Sequence, residues 1–453
     1  MDVVSDVSTD AVDSHAAEPV DSDAGARPTA LLPVSHLLRI SAYWLGLTAI
    51  DAAVTQFNIN RLEFDHWVPT EEVGRALFLI SVGGAALGII IQPTVGYISD
   101  FTTSRWGRRK PYIVFGSLLD VVFLAGLATS NTVLALAAFV LLLQVSTNIA
   151  RGPFQGYVPD LVAEPQVGLA SGMVGLMQIL GNVTGFGLIV IAVNLGALPI
   201  GIAAVAVVEL VTMASVVLRV GKGMPARPRR GRSWGTIARE AWSTDILHER
   251  SYVWLLVSRL LFLTAGGLLA NFVTIYLRRS WGMEQVEANN WYFVVLLCVI
   301  VASVVAVVPA SRLSDRLGRK AVIYGACGGG GLGVALAALA PAIPVAIVGG
   351  AMFGAASGAF LAVDWALMTD IIPRASSGRY MGLSNVATGA SGPLAVAIGG
   401  IVLDAITTAG GYEVGPRLVF GLGVVLFACA ALTLRPVVEP VRGRRPAAAG
   451  VAA

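Results

Sequence analysis

The stretch Gln92 to Pro111, QPTVGYISDFTTSRWGRRKP, joins the end of a long apolar run to four cations, Arg105, Arg108, Arg109 and Lys110. An acid, Asp100, sits at the junction. Cations collect in short loops on one side of a bilayer, and an acid held beside them at a membrane face has the makings of a gate. That pattern predicts a chain that crosses a membrane and moves a solute through it.

Composition agrees. Hydrophobic residues make up 56% of the 453 and charged ones only 13%, with a mean hydropathy of +0.75, too little charge to cover a soluble surface of that size. The net charge of +3 is small and its cations lie in loops between apolar runs, which argues for orientation signals and against a nucleic-acid surface. Cys298, Cys327 and Cys429 all fall in apolar runs, and His15, His36, His66 and His248 lie far apart, so neither a disulfide framework nor metal-ligand spacing is present.

A helix needs about 20 apolar residues to span the hydrocarbon. Such runs recur near 37–58, 74–98, 111–130, 132–157, 168–192 and 196–219, and again near 251–277, 289–311, 321–340, 344–368, 378–402 and 417–436. The expected fold is therefore an all-α membrane protein of twelve transmembrane helices in two six-helix bundles, residues 37–220 and 251–436. Residues 1–36 carry seven acids against Arg27 and read as a disordered tail; residues 221–250 form a basic linker suited to anionic lipid, and 437–453 a second tail. Cations in the loops holding Arg105, Arg229 and Arg316 put both termini in the cytoplasm of a cell-membrane protein.

The two halves repeat each other. GYISDFTTSRWGRRKP and ASRLSDRLGRKA both place Ser-Asp at the end of a half's second helix and Gly-Arg before its third, while PDLVAEPQVGLASG echoes TDIIPRASSGRYMG, matching Asp160 with Asp370. A duplicated pair of bundles rocking about a central site is a transport architecture.

This duplicated plan, with its Asp100 and Asp315 motifs, resembles the major facilitator superfamily. Gln92 to Asp100 and Ser104 to Pro111 resemble the sucrose/proton symporters, and the Ser-Arg-Trp-Gly turn is also similar to the glycoside, pentoside and hexuronide cation symporters. The superfamily resemblance spans roughly residues 37 to 436 on helix length alone; the sugar-specific match lies in residues 92–161. The resemblance implies a secondary active transporter, a proton-coupled symporter of sucrose or another α-glucoside working by alternating access. One departure stands out: Gln144 occupies the place of that family's proton-carrying acid, and Gln155 the place of an arginine.

By the resemblance, Asp100 meets the start of the eleventh helix near Gly378 and Asp315 the start of the fifth near Gly168. Carboxylates suit such sites, since a helix start offers free N–H groups and a positive dipole end. Arg108 and Arg319 then bridge to Asp160 and Asp370, with Arg105 and Arg109 completing the cytoplasmic gate. The competing reading is that these cations only hold topology.

Charges within apolar runs are Asp51, Asp120, Arg151, Glu209, Arg259 and Asp364; each needs a partner or a wet cavity. The family's cavity-lining helices favour Asp51, Arg151, Arg259 and Asp364; for Asp120 and Glu209 a structural interhelical bond competes with function. Thr48, Asp51 and Thr55 share one helical face. About 1.5 Å per residue from Leu37 sets Asp51 roughly 21 Å deep, where burial favours a held proton. Asp51 and Asp364 are thus the proton-coupling candidates, with a substrate ligand or a structural bond as the alternatives for Asp51. Arg151 and Asp364, near helix ends, suit a gate pair or snorkelling.

Thr48, Gln144, Asn148, Arg259 and Asn271, with Trp44, are the substrate-cavity candidates, along with Gln178, Asn182 and Trp365. Amides both donate and accept, as sugar hydroxyls require, and they equally suit helix packing. The glycine tract Gly325, Gly328 to Gly331 and Gly333 lies in an apolar helix, so close packing is expected there in place of a nucleotide loop. No phosphate loop and no nucleophile, base and orienter set can be assembled, so neither an enzyme nor a cofactor is expected. The partners are a small solute, a coupling ion and lipid. Two further functions stay open: a proton-coupled drug or metabolite antiporter, and a non-transporting membrane sensor or assembly factor.

Overall fold

A computed structural model of the chain describes residues 30–163, 166–223, 225–226, 228–229, 231, 233–236, 249–371 and 377–439. Twelve of its helices are long and apolar enough to cross a membrane. They are α1 (Val34–Phe64), α2 (Thr70–Asp100), α3 (Lys110–Ala128), α4 (Val133–Gln155), α5 (Val167–Asn194) and α6 (Leu198–Arg219). The second set is α7 (Arg250–Trp281), α8 (Gln285–Leu317), α9 (Arg319–Ala338), α10 (Ile343–Ile371), α11 (Ser377–Thr408) and α12 (Gly415–Thr433). The described residues contain no strand, as they must if each backbone N–H and C=O is to be satisfied without water.

Helix limits differ from the apolar runs where a polar end continues the helix. The first run stops near residue 58, yet α1 continues through a π-helical turn, Asn60–Phe64, and α7 continues to Trp281. The extensions carry Glu63 on α1 and Arg279 on α7. Outward-facing side chains such as Leu134, Leu218 and Val305 are strongly exposed, which suits a lipid-facing girdle and would be costly in water.

Small residues set the closest helix approaches. A Cβ on Gly185 would strike the Ala49 carbonyl, joining α5 to α1, and one on Gly358 would strike Ser303, joining α10 to α8. The glycine tract on α9 is only partly a packing device: Gly333 lies against Gly349 and Phe353 of α10, whereas Gly325 and Gly328 have no neighbour within 4 Å of a Cβ position.

The duplication is visible in three dimensions. Lys110 Nζ donates to the Val217 and Val220 carbonyls at 2.8 and 2.7 Å. Lys320 Nζ does the same to Arg435 and Val437 at 3.1 and 2.7 Å. Each lysine thus caps the last helix of its bundle, where orphaned carbonyls and the negative dipole end favour a cation. The preceding glycines, Gly107 and Gly318, have φ of +98° and +94°, a region other residues enter only with strain.

Candidate functional site

Two ion pairs occupy matching places in the bundles. In the first, Arg151 Nη2 on α4 donates to Asp51 Oδ2 on α1 at 2.6 Å, with side-chain exposures of 18% and 41%. In the second, Arg259 on α7 pairs with Asp364 on α10, with exposures of 2% and 0%, and Arg259 Nε also donates to Thr388 Oγ1 of α11 at 3.1 Å. Arg151 and Asp364 are therefore not separate snorkelling groups. Asp51 is also not buried, contrary to the depth argument: its side chain is 41% exposed beside Arg151.

The neutral candidates divide between cavity and packing. Asn148 is buried: its Nδ2 donates to the Gln144 carbonyl at 2.7 Å, and a Cβ on Gly88 of α2 would lie 3.1 Å from it. Gln144 is half-buried against Gly84 in the same way. Thr48 donates to the Trp44 and Gln178 carbonyls at 2.8 and 3.2 Å, and the Trp44 ring leans on Phe154 with centroids 5.7 Å apart. Asn271 and Asn182 donate to carbonyls one turn back, Gly267 and Gln178. The Trp365 side chain lies outside the described residues.

At the Asp100 end, Asp160 is the hub. Both its oxygens accept from Arg108, Nη2 lying 2.7 and 2.8 Å away, and Arg109 adds bonds of 2.7 and 3.1 Å from Nε and Nη2. Two guanidinium forks on one buried carboxylate make a strong, directional lock. Asp100 lies 3.1 Å from Arg109 and 3.5 Å from Arg108. Gly156 makes room, since a Cβ there would collide with the Arg109 guanidinium. Burial pushes the nearby Tyr157 phenol up, with Arg109 opposing. Arg105 is exposed, its guanidinium 5.6 Å from the Trp106 ring. In the second bundle Arg319 is buried, and its backbone N–H donates to Glu439 Oε1 at 2.7 Å. The Asp315 and Asp370 side chains lie outside the described residues, and although α5 and α11 do start at Val167 and Ser377, the surroundings of Gly168 and Gly378 lie outside them too, as do the expected Arg319 bridge and the Asp100 and Asp315 contacts to those starts.

The bundles meet at the other end. A seam of hydrogen bonds joins described residues of the two bundles on the face opposite Asp100. Arg279 of α7 holds Glu63 of α1 in a two-pronged bond of 2.8 and 2.7 Å and also donates to the Thr70 carbonyl at 3.0 Å. Deeper, Gln56 Nε2 donates to Asn289 Oδ1 at 2.8 Å and Asn289 Nδ2 to Asn60 Oδ1 at 3.1 Å. At the rim, Asp404 of α11 accepts from the Gly74 and Arg75 N–H groups at 2.7 and 2.5 Å. Here a carboxylate does cap a helix start across the interface, the chemistry expected of Asp100 at the other end. Tyr412 closes over Arg279 at 5.1 Å, and burial pushes its phenol up.

None of Gln56, Asn60, Glu63, Arg279, Asn289 or Asp404 is among the sequence-level candidates. Glu63 and Arg279 lie past the apolar runs, where charge is ordinary. Gln56 and Asp404 were open to discovery, the first as a polar residue within a spanning run and the second as an acid at the end of one.

The arrangement joins the bundles on one face through a buried polar seam while the Asp51 carboxylate stays accessible. Residues 255–452 match the model of the Major Facilitator Superfamily. A sucrose transport protein of Arabidopsis thaliana is 31% identical over 121 residues, which are 23% of this chain and 24% of that protein. The general alpha-glucoside permease of Schizosaccharomyces pombe is 35% identical over 124 residues, 24% of this chain and 22% of the permease. The chain thus spans about a quarter of the length of these relatives. Among solved structures, the nucleoside transporter NupG matches with a TM-score of 0.68 at 13% identity, covering 89% of this chain and 99% of that one. A bacterial homolog of the human lysosomal transporter Spinster, inward-facing and unoccupied, matches with a TM-score of 0.65 at 14% identity, covering 88% and 96%.

Proposed function

We propose that this chain, a major facilitator superfamily protein resembling the sucrose/proton symporter group, carries a neutral α-glucoside across a cell membrane by proton-coupled symport. The observation that carries the reading is the pairing of an open Asp51–Arg151 couple with a polar seam that joins the bundles on the face opposite Asp100. An accessible carboxylate can take a proton from water; once neutral, it releases its hold on Arg151. That change alters what the bundle offers a solute, and two bundles hinged on a polar seam can reverse which face is open.

In this reading Asp51 is the proton carrier and stands in for the acid that Gln144 replaces. Asp364 has its role in holding Arg259. Gln144, Thr48 and Trp44, with Asn148, Asn271 and Arg259 after bundle movement, supply the amides, hydroxyls and ring faces suited to sugar hydroxyls. Arg105, Arg108, Arg109, Asp100 and Asp160 form one half of a cytoplasmic gate, Asp315, Arg319 and Asp370 the other. The Glu63–Arg279 seam is then the external gate, both termini are cytoplasmic, and the bundles are residues 37–220 and 251–436.

Proteoliposomes with an inward proton gradient test this. Sucrose or maltose should accumulate above equilibrium and carry protons in with it. Proton efflux driven by an organic cation, with no sugar flux, would replace the symporter with the antiporter reading.

A further inference from the structure

Two acids that the proposed transport cycle does not use lie side by side inside the first bundle. Asp120 on α3 and Glu209 on α6 are both 0% exposed, and one hydroxyl brings their helices together: Tyr43 bonds Glu209 and also Ser117, which lies one helical turn before Asp120. The donors around them are all neutral. Ser146 Oγ of α4 donates to Asp120 Oδ1, and Thr147 Oγ1 does so at 2.9 Å. Tyr43 of α1 donates to Glu209 Oε1 at 3.2 Å while its hydroxyl meets Ser117 Oγ of α3 at 2.5 Å. Thr212 of α6 turns back to its own helix. No ion pair to either acid is found among the described residues, and Arg151 of α4 has its Nη2 bound to Asp51.

One oxygen of each acid is left over. Asp120 Oδ2 and Glu209 Oε2 are buried and meet no donor. Two carboxylates are acceptors only, so two of them in contact need a hydrogen between them. Without it, two like charges would sit together in a low-dielectric interior with no bonded cation, an arrangement carboxylate pairs avoid by keeping one proton.

We propose that Asp120 and Glu209 form a buried proton-binding dyad, holding a single proton between Asp120 Oδ2 and Glu209 Oε2, separate from the Asp51–Arg151 pair. This proton is a structural member of the bundle, tying α3 to α6 as a hydrogen bond that neither acid can make alone. It does not depend on which solute the protein carries.

Infrared spectroscopy of the purified full-length protein at neutral pH tests it. The wild type should show a carboxylic-acid C=O band that shifts in deuterium oxide. Glu209→Gln and Asp120→Asn each place an amide N–H₂ where the shared proton was, so the remaining carboxylate keeps a donor and the fold is retained. Each variant should lose the band, and Asp51→Asn should keep it. Absence of the band in the wild type, or its survival in both dyad variants, overturns the proposal. So does its loss only in Asp51→Asn, which would place the proton in the open pair and leave the transport reading standing. If one variant fails to fold, the other and the wild-type spectrum still decide.

Discussion

The two bundles hold the same kind of ion pair on corresponding helices and use it in opposite ways. In the first the acid is on the leading helix, Asp51, and its base on the fourth, Arg151, with the carboxylate 41% exposed. In the second the order is reversed, Arg259 leading and Asp364 on the fourth, and both are sealed from solvent, at 2% and 0%. Duplication has kept the contact between two helices and left the sign and the solvent free to differ. Solvent matters more: an open pair is held by little and can be made and broken, whereas a buried pair is costly to break because one charge is then stranded.

The strongest way to break this comparison is Asp364→Ala. It removes the buried carboxylate that balances the Arg259 charge and should destabilise the protein by about 3–5 kcal/mol, read as a large fall in unfolding temperature in detergent. Replacing both partners, Arg259→Met with Asp364→Leu, should recover most of that loss. If the single variant is as stable as the wild type, the second pair is no lock.

Next in size is the seam. Glu63→Gln keeps the shape but removes the charge from the bond to Arg279, a loss of about 2 kcal/mol for a charge-assisted hydrogen bond. That should bias the bundles toward opening on this face. Spin labels on the Glu63 end of α1 and the Arg279 end of α7 should show a longer-distance population, and an unchanged distance distribution would remove Glu63 from the seam's working parts.

Asp51→Asn sharpens the contrast from the other side. Stability should change by less than about 1 kcal/mol, since the pair is open to solvent, while uphill uptake should be lost and downhill exchange retained. A variant that still concentrates sugar against a gradient would take the proton-carrying role away from Asp51.

The smallest effect tests the symmetry itself. Lys110→Met and Lys320→Met each remove one C-terminal cap and should cost similar amounts, about 0.3–1 kcal/mol each. A cost confined to one of them would mean that the bundles share a shape without sharing its energetics.

Much of the fold was legible in the residues because the bilayer admits so few solutions. Twelve apolar runs gave twelve helices, and the repeated Gly-Arg turns gave the duplication. The site was legible in part. Each of the six charges singled out inside the apolar runs marked a place with a polar partner, because hydrocarbon tolerates no idle charge, yet the partners themselves were hidden. Asp51 and Arg151 are a hundred positions apart in the chain and Arg259 and Asp364 similarly distant, and no local pattern joins them. Glu63 and Arg279 escaped notice because a charge at a helix end looks like any interfacial anchor.

What the sequence by itself determined is what each segment must do alone: cross the bilayer as a helix, turn at Gly107 or Gly318, and keep most of its charge out of the hydrocarbon. These follow from the cost of unsatisfied backbone and unpaired charge in lipid, which each stretch meets by its own composition. Only the tertiary structure decided which charges meet, which pair stays open to solvent and which end of the bundles is sealed. Those depend on the mutual placement of helices from distant parts of the chain, and on a packing whose alternatives differ by the few kcal/mol that one buried ion pair can supply.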